Sequence, residues 1–480
     1  MRIIHHPILG DMEKRKKVLI RVDRADVEAY EGEPIAAALI AAGVRVFRTT
    51  RKRNEPRRVF CAVGRCTDCV MTVDGQPNVR TCITPVRGGM EIWTQKGHLL
   101  DTGCWILDAA LGDRASSTKH RASSIEIAVV GSGPAGLAAA IEARSCGAHV
   151  TLIDENQRPG GQLFKQIHKF FGSQEHRAGV RGYSIGKQLL RDCRRFEVDV
   201  MLETVVWGIF EGNLLGLAGK SGSSIMKADR IILATGASEN PLAFPGWTLP
   251  GVMGAGAVQT LMNVHRVLPG RQALMVGSGN VGLIVAYQLL QAGAQVQAVL
   301  EAAPQMSGYF VHAAKLRRSG VPILTSHTVA EARGTDGVEQ AVVVALDDNW
   351  QPVAGTERVF HVDLICIAVG LSSEADLCRM AGCQFKYLRE LGGHVPVHNE
   401  KMETSVRGLY VAGDVAGIEE ASTAMEEGRL AGLAAAEALG YISEGEFEER
   451  ARVIRRRLSS LRMGPFGEAR RKAKQKLVSN

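Results

Sequence analysis

Two stretches of this chain share one grammar: an apolar run, a Gly-x-Gly-x-x-Gly turn, then a helical pattern rich in small or aliphatic residues. Ile125 to Val130 runs into Gly131-Ser132-Gly133-Pro134-Ala135-Gly136. Ala273 to Val276 runs into Gly277-Ser278-Gly279-Asn280-Val281-Gly282, 146 residues further on. In such a turn the first glycine permits the sharp exit from the strand and the second lets a pyrophosphate approach the backbone. The third lets helix and strand pack closely. The helix N-terminus then offers its unpaired N–H groups to phosphate. Two such units predict an α/β protein with two Rossmann-like dinucleotide-binding folds.

Composition agrees. A length of 480 residues allows about three domains of roughly 150 residues. With 45% hydrophobic and 22% charged residues, a disordered, collagen-like or small secreted protein is excluded. Fifty-three glycines suit sheets joined by Gly-rich turns. The longest uncharged stretch, Ala273 to Leu300, is long enough to span a bilayer. It carries four Gly, four Gln and an Asn, so it reads as strand–turn–helix–strand. The first twenty residues lack the apolar core of a signal peptide. The expectation is a cytoplasmic chain with reduced thiols and no transmembrane segment.

The first motif carries its supporting residues. Asp154, with Glu155 beside it, ends the strand His149 to Ile153, eighteen residues after Gly136, where an acid binds ribose hydroxyls. Three later segments bear on the ligand: Arg158-Pro159-Gly160-Gly161-Gln162, an apolar strand ending in Ala234-Thr235-Gly236, and another ending in Gly413-Asp414. A fold holding only NAD leaves the last two unexplained. Their order resembles the two-dinucleotide flavoprotein family that includes glutathione and thioredoxin reductases. The resemblance implies FAD, with Asp414 on the ribityl chain and the next helix aimed at the flavin's pyrimidine edge. That helix is expected to begin near Ala421, with Thr423 and Glu426 as a capping box.

The second motif sits where that family inserts its NAD(P) domain. Its acid, Glu301, comes one residue later than the first motif's spacing would put it, and no Arg follows nearby to take a 2′-phosphate. NAD, another adenine nucleotide and no ligand all stay open. Disulfide reductases of the family carry a redox cysteine pair beside the first Gly-Gly or within the NAD domain. Neither place has one here; Cys378 and Cys383 lie in the segment returning to the FAD domain and read as structural thiols. His168 is the nearest acid–base candidate, with a structural role as the competing reading.

The first four cysteines, Cys61, Cys66, Cys69 and Cys82, are spaced C-x4-C-x2-C-x12-C. That is the plant-type ligand spacing of a [2Fe–2S] cluster. Zinc ligands come as two close pairs, and buried thiols need no spacing. Gly64 would let the backbone approach the cluster, and Cys69 to Pro77 would be a strand and turn that return Cys82. A strand from Val18 to Val22, a turn at Ala25 and Asp26, and a helix from about Pro34 to Gly43 precede the loop. Together these resemble a β-grasp, plant-type ferredoxin domain. Seven Arg/Lys between Arg45 and Arg58 would stabilise the cluster, attract an acidic partner, or form a solvated loop.

A ferredoxin-like domain fused to this flavoprotein core, with GGQLFKQIHKFFGS and TSVRGLYVAGDVAG, is similar to alpha subunits of heteromeric amine and imino-acid dehydrogenases. These include sarcosine oxidase alpha, the opine, hydroxyproline and proline dehydrogenases, and the hydrogen cyanide synthase flavoprotein chain. The resemblance implies that a beta subunit with its own flavin oxidises the C–N bond. This chain would then receive electrons, with FMN at the subunit boundary in some relatives. No cysteine follows Cys383, so any second iron–sulfur centre is expected on another chain. The alternative is a self-contained NADH-dependent acceptor reductase.

The expected organisation is an iron–sulfur domain over 1–115, a linker over 116–124, FAD-domain parts over 125–246 and 371–445, a nucleotide domain over 247–370, and a tail over 446–480. The net charge of +8 is local: residues 450–480 hold eleven Arg/Lys and one Glu. This argues against nucleic acid. With Val453, Ile454, Leu458 and Leu461 at helical spacing, the tail reads as a docking element for a partner subunit.

Overall fold

The computed structural model describes residues 1–96, 123–170, 174–220, 222–464 and 467–478. Cys104 and most of the expected linker lie outside them. Ser123 and Ser124, expected in the linker, instead begin the strand Ser123–Val130. By its contacts the chain divides into two units, Met1–Ser116 with Glu239–Gly370, and Ser117–Ser238 with Leu371–Asn480.

The second unit is built on a sheet of seven strands. Asp199–Met201, Val150–Ile153, Ser123–Val130, Gly222–Leu233 and Leu409–Val411 lie parallel, and Leu214–Gly219 and Val205–Phe210 continue the sheet antiparallel. The parallel strands are apolar over successive residues because both sheet faces are covered; Ile127, Val129, Leu152 and Ile232 are fully buried. The helices Pro134–Ser145 and Ala421–Ala438 pack in backbone contact. A methyl group on Gly428 or Gly432 would land on the carbonyl oxygen of Ala135 or Ala139.

The tail forms two helices, Glu444–Leu461 and Glu468–Leu477. Ser443 Oγ caps the first by accepting the Glu446 N–H at 3.3 Å. Phe447, Ala451, Ile454 and Leu458, three and four apart, are buried in the core of the same unit. The apolar stripe expected to dock a partner is therefore covered by the chain's own domain; Val453 is left exposed.

In the first unit, five parallel strands run in the order Val252–Gly254, Leu364–Ile367, Gln272–Val276, Gln295–Glu301, Ile323–Thr325. The N-terminal domain has a mixed sheet in the order Ala25–Tyr30, Lys17–Val22, Glu91–Trp93, Val70–Val73, Gln76–Arg80, with the helix Ile35–Ala41 beside it. The expected turn at Ala25 and Asp26 is in fact strand; the reversal falls on Asp23 and Arg24, both at positive φ. The N-terminal and nucleotide domains share one core in which Ile35, Leu39 and Phe47 join Met253, Val258 and Leu261. Backbone bonds reinforce it: Gly254 N–H donates to Phe60 O at 3.1 Å and Leu268 N–H to Met1 O at 3.0 Å.

The variant Gly428→Val should be destabilised by about 3 kcal/mol, since the added side chain meets backbone that cannot yield. Thermal unfolding would show a melting point lowered by several degrees, whereas Gly445→Val, in a helical first turn with only Ser443 Oγ at 4.0 Å near the added Cβ, should lose less.

Candidate functional site

In the second unit Val130 is in register with Ile153 and with Leu233, and Leu233 with Val411. The residues that follow these four, Gly131, Asp154, Ala234 and the Ala412–Gly413 pair, therefore emerge together at the carboxyl edge of the sheet. That edge is where ligands bind in open α/β sheets. A methyl group on Gly131 would strike the Ala234 carbonyl, and one on Gly136 would strike the Gly131 carbonyl. Gly413 lies against Ala135, whose Cβ would be 2.8 Å from an added Cβ. Gly161 rests on Gly133 in the same way, at 2.9 Å, and Gly160 N–H donates to Ser132 O at 2.9 Å. Glu155, Arg158 and Gln162 are exposed at the rim, Arg158 with its guanidinium 3.9 Å from the Phe164 ring centre. Thr235 Oγ1 donates to Glu374 O at 2.6 Å.

Asp154 has a task that spacing alone does not reveal. Its Oδ2 accepts from Ser132 N–H at 2.7 Å and from Ser132 Oγ at 2.5 Å, and its Oδ1 from Asn156 N–H at 2.8 Å. Asn156 Nδ2 also donates to Oδ1 at 2.8 Å, so the carboxylate that stands where ribose hydroxyls are expected has its roughly four lone-pair sites engaged in fixing the Gly-rich loop and the turn after the strand. The second motif repeats the construction. Ser278 N–H reaches Glu301 Oε2 at 3.2 Å, Ser278 Oγ bonds the same oxygen, and Gly277 and Gly282 are as tightly packed as Gly131 and Gly136. Val276 is in register with Leu300 and Ile367, so Gly277 and Glu301 also share a carboxyl edge. Glu301's one-residue offset has not separated it from its loop. Both serines occupy the same place, G-S-G, which is the one signal the sequence offers for them.

The expected helix does begin at Ala421, but its capping box lies one turn earlier than expected. Glu420 is the N-cap and Thr423 its N3 partner, with the Glu420 N–H donating to Thr423 Oγ1 at 3.1 Å. Glu426 is buried and paired with Arg429. Asp414 is half-buried and accepts from Glu419 N–H at 3.4 Å; burial pushes its carboxyl up to about 6. His168 stacks on Phe170, ring centres 6.0 Å apart. Cys378 and Cys383 sit in the core around a short helix end, joined by Cys383 N–H to Cys378 O at 3.0 Å.

In the first unit the four spaced cysteines converge. Cys66 N–H donates to Cys61 Sγ at 3.4 Å, and the thiols contact one another through Cys61–Cys66, Cys61–Cys82 and Cys69–Cys82. The four thiols form one connected set, Cys61 touching both Cys66 and Cys82 and Cys82 touching Cys69 as well, a donor set that fits a cluster held by four cysteines. Gly64 has φ +75°, and an added Cβ there would be 2.9 Å from Ile83 Cδ1. Two of the basic residues brace the ligand loop: Arg48 Nε donates to Thr67 O at 3.0 Å, and Arg48 and Arg57 both face Asp68. Arg51, Lys52 and Arg53 are exposed.

Residues 125–428 match the family model described as pyridine nucleotide-disulphide oxidoreductase, and residues 15–97 match a 2Fe-2S iron-sulfur cluster binding domain. The chain belongs to the pyridine nucleotide-disulphide oxidoreductase family, whose FAD/NAD(P)-binding fold is the one described above, here with an N-terminal 2Fe-2S domain. It is 32% identical over 340 residues to an opine oxidase subunit of Rhizobium meliloti, covering 66% of this chain and 64% of that one. To the alpha subunit of sarcosine oxidase from Corynebacterium sp. (strain P-1) it is 25% identical over 452 residues, covering 90% of this chain and 44% of that one. The chain thus spans less than two thirds of the length of either relative. The crystal structure of L-proline dehydrogenase from P. horikoshii shares the fold, with a TM-score of 0.69 at 24% identity over 93% of this chain and 79% of that one.

A carboxyl whose pKa is raised by folding favours the fold while protonated, and this contribution is lost as pH rises from ~4 through the folded value. For Asp414 the window ends at about 6. Asp414→Asn, which mimics the protonated form, should therefore raise the melting temperature of flavin-free protein at pH 8 and leave it unchanged at pH 4. Separately, Cys69→Ser should abolish the visible absorption and electron paramagnetic resonance signal of a [2Fe–2S] centre.

Proposed function

We propose that this chain is the electron-transfer, alpha-type subunit of a heteromeric amine or imino-acid dehydrogenase, its substrate being of the proline, hydroxyproline, opine or sarcosine class. The observation that carries the reading is the presence in one chain of a flavin-type nucleotide edge and a loop on which four thiols converge. Two relatives are by name oxidase subunits, and the solved neighbour is a proline dehydrogenase. On this reading the Gly131–Gly136 loop, Asp154 and the turns at Ala234–Gly236 and Gly413–Asp414 hold FAD, which supplies the redox chemistry. Cys61, Cys66, Cys69 and Cys82 hold the cluster, which passes electrons singly. A flavin-bearing beta subunit oxidises the C–N bond, with FMN at the boundary between the chains, and a further iron–sulfur subunit or a soluble acceptor takes the electrons.

The second reading, an NADH-dependent reductase that needs no partner, is favoured by one observation: Glu301 and Ser278 reproduce the Asp154–Ser132 construction. Purification at native expression level separates the two. A stoichiometric flavin-bearing partner, with amine-dependent cluster reduction only in the complex, is the expected result. Brisk NADH oxidation by the isolated chain would overturn it. The exposed turn Arg51-Lys52-Arg53, on the hairpin that braces the ligand loop, fits an acidic acceptor. Replacing all three with Gln should slow reduction of such an acceptor about tenfold at low salt, and the difference should close as ionic strength rises.

A further inference from the structure

The segment Gly413 to Glu419, which contains Asp414, is fixed at three points by groups outside it. Gly413 N–H donates to Glu427 Oε2 at 3.1 Å. Ala416 O accepts from Lys474 Nζ at 2.9 Å, and the Glu419 carboxylate accepts from Arg462 Nε at 3.0 and 3.1 Å. Two of these groups belong to the tail, and they meet again on one atom: Glu427 Oε1 accepts from Lys474 Nζ at 2.7 Å and from Arg462 Nη2 at 2.6 Å. The side chains of Glu427 and Lys474 are only 2% and 5% exposed. Burial alone would drive Glu427 neutral; the two cations reverse this and hold it ionised, its pKa lowered to about 2. Past Lys474 the tail is tied down once more, where Val478 bridges His398.

The tail is thus the outer half of a clamp whose inner half, Glu427, holds the backbone of the Gly413–Asp414 turn. A buried carboxylate that loses cationic partners must either take up a proton, which weakens its hold on the Gly413 N–H, or move toward water, which breaks it. We propose that Lys474 and Arg462 are positioning residues for flavin, acting through Glu427 on the segment 413–419. The inference rests on reading the Gly413–Asp414 turn as part of an FAD site.

The test uses the full chain, with its partner subunit where one co-purifies. It compares Lys474→Met, Lys474→Arg, the double variant Glu427→Gln with Lys474→Met, and a control, Lys472→Met. Lys472 lies on the same helix with its side chain 66% exposed. The readouts are the FAD dissociation constant, the flavin visible spectrum and thermal unfolding of flavin-free protein. Lys474→Met should weaken FAD binding by about tenfold or more, and Lys472→Met should not. Lys474→Arg should restore most of the loss. The double variant should recover in part, because a neutral amide oxygen still accepts from Gly413 and needs no counter-cation, while Ala416 O still lacks the Lys474 donor. Wild-type FAD affinity in Lys474→Met would overturn the proposal. So would a loss accompanied by a lower melting temperature that neither rescue repairs, since that assigns Lys474 to the fold alone. A wild-type chain that takes up no FAD would instead overturn the flavin reading beneath it.

Discussion

The parallel register of the Ser123–Val130, Val150–Ile153, Gly222–Leu233 and Leu409–Val411 strands is the constraint on which the nucleotide edge depends. These strands end level, so four segments far apart in sequence arrive at one line. A slip of one residue in any of them would turn its apolar side chains over and carry its motif away from the others. The glycines then bring the backbones within contact at that line. Gly131 against Ala234 and Gly136 against Gly131 leave no room for a Cβ, so the loop is shaped by what surrounds it before any ligand arrives.

Below that line the two acids do structural and electrostatic work at once. Asp154 and Glu301 each hold a serine in the middle of a Gly-rich loop. By accepting the serine's N–H and O–H, each carboxylate orients the rest of its loop. The same device appears in the clamp at Glu427, where the carboxylate grips the N–H of Gly413 instead. Three backbone turns of one fold type are thus organised by three buried or half-buried acids rather than by packing alone.

Much of this is legible in the sequence, and the exceptions have physical reasons. Glycine requirements are local, so both Gly-x-Gly-x-x-Gly turns, their strands and their acids can be placed from residue order. The cysteine spacing is equally local, and its loop does bring the four thiols together. The capping box reads one turn late because Glu420 is an unusual N-cap, whereas Thr423 looks like a common one. The tail misleads because a stripe such as Ile454 and Leu458 tells which face of a helix is buried, not what buries it. Ser132 and Ser278 stand at a position any residue can fill, so nothing but their recurrence marks them. Glu427 gives no signal, since its partners Arg462 and Lys474 lie 35 and 47 residues further on.

The core shared by the N-terminal and nucleotide domains has a consequence for how this architecture could be taken apart or recombined. Ile35, Leu39 and Phe47 are sealed by the same cluster that holds Met253, Val258 and Leu261. Cutting the chain after the ferredoxin-like domain would expose apolar surface on both fragments, so that domain is not a portable module despite its module-like sequence. Thermodynamically the two are one cooperative block. Whatever stabilises the thiol loop also stabilises the Gly277 loop, and a ligand bound at either contributes to the folding free energy of both.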